Sequence, residues 1–505
     1  MVLNQKNSRF ICVLLLLITL IDCGFYLDRV GFHQADSDES IMWLAAKDMS
    51  KGRFLTPAFY GQQYNTHVEA LLAAPFIALG AFTPTVVKLS TVFLAYLPFL
   101  LFGVLAFRRK QFSAAMIWFI YPTLLPMEWQ MMAGASRGFI PGIALSACGM
   151  ALLLYGSNQA RYAAYSLIAV GLAANMNALV FIIPTIIYFW YEHRPSFKSE
   201  LLFTLPAVLI FIGYSYWNHQ FHEDNPMYDL HQLWALEWNW KFWVESFSNF
   251  RHYFKGLFPW FYEGGVIWIL IYIYLGIYLF RKGRWGLFFG QVGLLIFLLI
   301  VLGTSKLTDG TGSVYFPYSR FFLGLAYVLP WTLVRTIPDL KKINWKLVSI
   351  LLVLSTGFKW ISYQDRLNFN VKTNTGRVVV SRIDDVCQAC SELTELAGKR
   401  ELLIFHSKAD FYNYGCRSLD YPFSTVHPPY ERRYWEFESL MTKKRKDVIA
   451  LDWFEELPGK LPDSMIKRMD TPYPAYLISM DSSSILSLYK THHLPLRPND
   501  IKNSK

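Results

Sequence analysis

The chain has 505 residues, of which 53% are hydrophobic, 17% aromatic and only 17% charged, with a formal net charge of +11. A soluble globular chain carries about a quarter charged residues, so the composition excludes an ordinary water-soluble domain and points to a polytopic membrane protein. The surplus of Lys and Arg does not mark a nucleic-acid-binding protein, because it falls in short clusters between apolar runs, where it sets orientation in a bilayer.

Lys6 and Arg9 lead into an apolar run from Phe10 to Leu27. No small-x-small cleavage site follows it, and Asp22 stands where a lipoprotein signal wants a small neutral residue, so the run is read as an uncleaved first helix. The next stretch, Gly31–Glu69, packs Asp36, Asp38 and Glu39 into four positions. Ile41, Leu44, Ala45 and Met49 then recur at helical spacing. Two readings of the acids stand side by side. A carboxylate ahead of a helix satisfies its free N–H groups, and early acids suit the dipole. Three acids exceed what capping needs, which leaves room for chemistry.

Further spans are predicted over about 86–107, 112–126, 139–155, 163–175, 178–191, 200–217, 263–280, 286–303, 320–334 and 346–362. The run 163–191 is too long for one crossing, so it is split at Asn175-Met176-Asn177 into two short helices joined by a polar turn. Arg108-Arg109-Lys110, Arg161, His193-Arg194 with Lys198, Arg281-Lys282 with Arg284, and Arg335 with Lys341-Lys342 then all fall on the side of the N-terminus. The positive-inside rule makes that side cytoplasmic. About eleven crossings result, with 28–85, 127–138, the 175–177 turn, 218–262, 304–319 and everything after 362 outside. The aromatic-rich 218–262 loop predicts short helices lying at the membrane surface.

Beyond residue 362 the chain turns polar. Strand-like Arg377–Val380 and Leu402–Phe405 alternate with a helix-like stretch over 384–396, a pattern that suits a small α/β domain. The expected fold class is an all-α polytopic membrane domain, residues 1–362, followed by a small extracytoplasmic α/β domain, residues 363–505. Cys12, Cys23 and Cys148 lie in or beside apolar runs as packing residues. Cys387, Cys390 and Cys416 predict one structural disulfide between two of the three. His219-x-x-His222-Glu223-Asp224 and His67 are ligand-type residues, but no third or fourth ligand is specified by spacing.

Asp38-Glu39, the helix over Ile41–Met49, the Gly61-Gln62-Gln63-Tyr64 loop, and the small-residue stretch from Glu69 through Pro75 to Gly80 follow one another in that order. The series resembles the first external loop of GT-C-type membrane glycosyltransferases, the superfamily holding protein O-mannosyltransferases and aminoarabinose transferases. Helix number and orientation extend the likeness over most of the chain, with the tail matched only loosely. The resemblance implies inverting transfer of a sugar from a polyprenyl-phosphate donor to a glycan, lipid or protein acceptor, at the outer face of the cytoplasmic membrane.

Asp38 matches the family's acidic position, which implies a general base. Asp36 and Glu39 would orient it, raise its pKa by like-charge repulsion, or share a metal. Tyr318-Ser319-Arg320-Phe321-Phe322 resembles the family's Arg-aromatic entry to a late helix, which implies that Arg320 holds the donor phosphate through its planar fork. Lys306 is a second cation in the same loop. Tyr64, Glu69 and Arg137 complete the substrate-binding candidates. Glu128 matches a second acidic position of some relatives, often a metal ligand; a divalent metal is the cofactor to consider. The implied partners are the lipid-linked sugar, its acceptor and the bilayer, with no nucleic acid. The alternative is a transporter or flippase of a lipid-linked or amphipathic solute, a class that commonly shows internal repeats and midplane charges. No clear repeat is visible, and the acids cluster at a helix end.

Overall fold

A computed structural model describes residues 5–225, 238–248, 250, 254, 257, 264–304, 322–336, 350, 352–361, 381–397, 402–406, 410–421, 424–426, 448–452, 466–468 and 475–478. In chain order the elements are α1 (Gln5–Tyr26), β1 (Gln34–Ala35), α2 (Ser37–Ser50), α3 (Val68–Ala78), α4 (Thr83–Arg108), α5 (Phe112–Leu124), α6 (Met127–Gly134), α7 (Ile140–Tyr155) and α8 (Ala160–Ala174). They continue with α9 (Leu179–His193), α10 (Phe197–Asp224), α11 (Trp240–Ser248), α12 (Gly264–Arg281), α13 (Trp285–Leu302), α14 (Leu325–Thr336) and α15 (Leu352–Ile361). The tail adds β2 (Ser381–Arg382), α16 (Ile383–Ala397), β3 (Leu402–His406), α17 (Asp410–Ser418), β4 (Ser424–Val426), β5 (Val448–Asp452), β6 (Ile466–Arg468) and β7 (Ala475–Ile478).

Among the described residues every predicted span overlaps one of these helices, with 320–321, 346–349, 351 and 362 of the last two spans lying outside the described residues, and Asn175-Met176-Asn177 does break 163–191 into α8 and α9. The Asn175 side chain turns the chain by accepting from the Asn177 N–H at 2.9 Å. Among the described residues, Gln5–Gly31, Thr83–Arg108, Phe197–Asp224 and Trp285–Leu302 are long and apolar enough to cross a membrane. Two boundaries differ from expectation. Helix α10 runs on to Asp224, because nothing between Tyr214 and Asn225 breaks a helix until the Asn225-Pro226 step. The expected 127–138 loop begins as helix α6, which buries Met127, Trp129, Gln130, Met131 and Met132.

The chain forms two compact units. The first comprises Met1–Gly31, Lys88–Tyr216 and Trp234–Asn368. In a bilayer, helix association rests on close packing and polar links rather than on burial from water. Helices α7 and α8 approach so closely that a Cβ at Gly142 would lie 2.6 Å from the Asn175 carbonyl oxygen, and one at Gly149 2.5 Å from that of Ala164. Thr19 and Thr123 share a hydrogen bond at 2.9 Å, and Ser355 donates to the Thr123 carbonyl at 3.0 Å, which ties α1, α5 and α15 together. Phe99 stacks on Tyr327 at 4.8 Å, with Trp129 edge-on to both. Helix α11 is the short aromatic helix expected within 218–262; Trp240 and Trp243 stack at 4.9 Å and Trp240 is exposed.

The second unit comprises Phe32–Val87, Trp217–Leu233 and Phe369–Lys505. Strand β1 pairs antiparallel with β2, Gln34 opposite Arg382 and Ala35 opposite Ser381, and the His33 carbonyl accepts from the Ile383 N–H at 2.9 Å. Ile41, Trp43, Leu44 and Ala45 of α2 share one buried core with Ala70, Ala73 and Ile77 of α3, Val386 and Leu393 of α16, and Tyr414 of α17. The Cys390–Cys416 disulfide lies in that core, with Cα atoms 5.5 Å apart, and Cys387 is left as a thiol. Asp420 pairs with Lys47 and, at 3.1 Å, with Lys51. Partial burial opposes the charge on Asp420, but hydrogen bonds from the two lysines outweigh it and hold the carboxyl below its usual range. The tail sheet has the order β4-β3-β5-β7-β6, with β3 parallel to β4 and β5 and with β7 antiparallel to β5 and β6. The expected helix over 384–396 and the strand over 402–405 are α16 and β3; residues 377–380 lie outside the described residues.

Candidate active site

The acid cluster sits at the start of α2. Asp36 is the N-cap, in extended conformation at φ −115°, ψ 178°. Its carboxylate accepts from the Glu39 N–H at 3.0 Å, and the Glu39 carboxylate accepts from the Asp36 N–H at 3.2 Å. This reciprocal pair is a capping box, satisfying two donors that a helix start leaves open. Both acids are buried. Asp38, between them, is not part of the box and stays half-buried. Capping therefore accounts for Asp36 and Glu39 and does not involve the Asp38 carboxylate.

The loop after α2 is built on neutral histidine chemistry. His67 is 5% exposed, and burial pushes its pKa down to about 3, so the imidazole is uncharged at neutral pH. Its Nε2 accepts from the Tyr60 N–H at 3.2 Å, and its ring stacks on Phe59 at 5.4 Å. The Tyr60 hydroxyl donates to Asp48 at 2.7 Å, returning the loop to α2. Gly61 takes φ +75°, a conformation that needs glycine and that carries the chain toward Tyr64. Tyr64 is half-buried, and Glu69, in the first turn of α3, is fully buried. Beside them Met49, Leu55, His67, Leu71, Trp217 and Phe221 line a cavity of about 270 Å³.

In the first unit, one polar feature is the segment after α6. Arg137 is buried, and the preceding Ser136 accepts a hydrogen bond from Thr91 of α4 at 2.8 Å. The carbonyls of Gly138 and Phe139 accept from the Asn175 and Asn177 side chains at 3.3 and 2.9 Å. Thr91 lies three residues from Lys88, on the same face of α4, and Lys88 is only 3% exposed. A guanidinium and an ammonium are thus carried by adjoining backbone segments, a combination suited to a phosphate. Lys88 escaped notice in the sequence because it lies inside an apolar run; a lone cation within a predicted span was itself the signal. In the same unit, Tyr121, Trp268, Tyr272, Leu294, Val328 and Leu329 help line an apolar cavity of about 280 Å³.

Arg320 and Lys306 lie outside the described residues. Glu128 is half-buried in the first turn of α6. Among the described residues, no three or more His, Cys, Asp or Glu side chains gather to hold a metal ion. His219 pairs with Glu223 at 3.1 Å on the exposed side of α10, while His222 is buried with its Nδ1 2.8 Å from the Asn218 carbonyl. The two histidines thus have separate partners.

No protein-family model matches the chain, and neither does any curated protein sequence. Two solved structures share its fold. ArnT from Cupriavidus metallidurans bound to undecaprenyl phosphate is similar with a TM-score of 0.58 and 13% identity, over 92% of this chain and 97% of that one. The same protein in the apo state is similar with a TM-score of 0.57 and 11% identity, over 94% and 98%. The chain shares the fold of ArnT over nearly the whole length of both chains, and its series of apolar helices agrees with the polytopic helical class expected from the sequence.

Proposed function

We propose that this chain is a membrane glycosyltransferase that moves a sugar from a polyprenyl-phosphate donor to a glycan, lipid or protein acceptor. The observation that carries the reading is the fold shared over nearly its whole length with a protein solved with undecaprenyl phosphate bound. The basic clusters favour an N-terminus on the cytoplasmic side of the inner membrane, with the first loop and the tail outside.

Asp38 is the general base. It takes the proton from an acceptor hydroxyl as that oxygen attacks the anomeric carbon, and the bond to the phosphate oxygen breaks with its electron pair leaving on the polyprenyl phosphate. A single displacement of this kind inverts the anomeric centre. The phosphate is already a good leaving group, so no strong general acid is required. Asp36 and Glu39 fix the helix start that presents Asp38. Lys88 and Arg137, with Arg320 and Lys306, hold the phosphate and neutralise the charge that builds on it. Tyr64 and Glu69 contribute to substrate binding. The apolar cavity lined by Trp268 and Tyr272 takes a segment of the isoprenoid chain.

The test is purified protein in liposomes holding a polyprenyl-phosphate sugar pool labelled in the sugar. Transfer of label to an added acceptor fraction is the expected result. Movement of the labelled lipid across the bilayer without transfer would favour the flippase instead.

A further inference from the structure

An ion pair lies buried in the first unit, away from the acid cluster. Lys359 of α15 donates to Asp22 of α1 at 2.8 Å. The same carboxylate oxygen accepts from the Gln130 side chain of α6 at 2.9 Å, and the Gln130 amide also donates to the Tyr96 hydroxyl of α4 at 3.1 Å. Asp22 is 7% exposed, Lys359 2%, Gln130 1% and Tyr96 5%. An isolated charge in the hydrocarbon is costly, and well-packed apolar residues often replace a buried pair at no loss of stability. General stability therefore does not account for this network; what the network holds in place does.

It holds α6. That helix runs only from Met127 to Gly134, too short to be stable by itself. Gln130 anchors its centre to the Asp22–Lys359 pair, and Gly134 leaves no room for a Cβ beside the Tyr26 hydroxyl of α1. The chain leaving α6 passes directly to Ser136, bonded to Thr91, and to buried Arg137. Its far end is fixed by Asn175 and Asn177. The near end has α6 as its foundation.

Building on the proposed function, we infer that Asp22, Gln130 and Lys359 are positioning residues for the donor phosphate, acting through α6 on the segment that carries Arg137. A displacement of about 1 Å at a binding group is enough to cost up to a hundredfold in rate, so a rigid support under Arg137 has a direct functional return.

The test measures binding of undecaprenyl phosphate to the full chain in detergent, together with Tm, for four proteins besides wild type. Gln130→Leu cuts the link to α6 but leaves the ion pair. Asp22→Leu with Lys359→Met removes both charges together. Asp22→Lys with Lys359→Asp reverses them, and the Gln130 amide, both donor and acceptor, can bond the relocated ammonium. Arg137→Ala removes the cation itself. The inference predicts affinity weakened about 10-fold in Gln130→Leu and in the neutral double variant, with Tm near wild type, and substantial recovery in the reversed pair. Wild-type affinity in the folded Gln130→Leu and neutral double variants, with binding weakened in Arg137→Ala, would overturn the inference and leave the functional reading standing. Absence of binding by the wild type would overturn both.

Discussion

The Asp36 carboxylate accepts the Glu39 N–H at 3.0 Å while the Glu39 carboxylate accepts the Asp36 N–H at 3.2 Å. That reciprocity makes the two flanking acids of the cluster structural partners. Replacing Asp36 with Ala is expected to cost about 1 kcal/mol, the usual value of a side-chain N-cap. The loss is read as a lower Tm in detergent. The Asp36→Asn variant, which still caps well, should recover most of it.

The loop between α2 and α3 should loosen in mild acid. His67 has a folded pKa of about 3, below the ordinary value of 6.5. The unfolded state therefore binds more protons between these limits, and stability falls as pH drops through that window. By pH 5 the loss is about 2 kcal/mol. Limited proteolysis of the loop between pH 7.5 and pH 5 measures it. In His67→Phe, the part of the acid sensitivity due to this residue should vanish.

Lys88 and Arg137 are each expected to contribute charge-assisted contacts to the donor phosphate. Lys88→Ala and Arg137→Ala should each weaken undecaprenyl phosphate binding by roughly 2 kcal/mol, about 30-fold. Binding that falls with added salt in wild type should fall less steeply in either variant. Unchanged affinity in both would remove them from the donor site.

The Cys390–Cys416 bridge closes a loop with a sequence separation of 26 residues beside the core that α2 shares with α16 and α17. The chain-entropy account gives about 3.5 kcal/mol for a loop of this length. Reduction, or Cys416→Ser, should lower the unfolding temperature of this unit by a corresponding amount. Partial burial, followed by the nearby Asp384, raises the Cys387 thiol pKa, so Cys387 should alkylate slowly in the native protein.

Hydropathy and charge placement made the helices legible, down to the polar turn at Asn175-Met176-Asn177, because both signals are local. The acid cluster was legible as a candidate, but not which of its acids cap the helix, since capping depends on backbone geometry rather than on residue type. Which cysteines pair was likewise hidden, as spacing does not report side-chain direction. The partnership of α2 with α16 and α17 joins segments separated by most of the chain, and no periodicity announces such a contact. Lys88, Asp22 and Lys359 were absorbed into apolar runs, where averaging hides a single charge.

The proposed role of Asp38 as the base is tested by comparing wild type with Asp38→Asn in sugar transfer from a polyprenyl-phosphate sugar, with undecaprenyl phosphate affinity and Tm measured on the same samples. The variant should fold and bind the lipid like wild type but transfer about 100-fold or more slowly, the usual contribution of a general base. A folded Asp38→Asn variant that transfers sugar at the wild-type rate would contradict it.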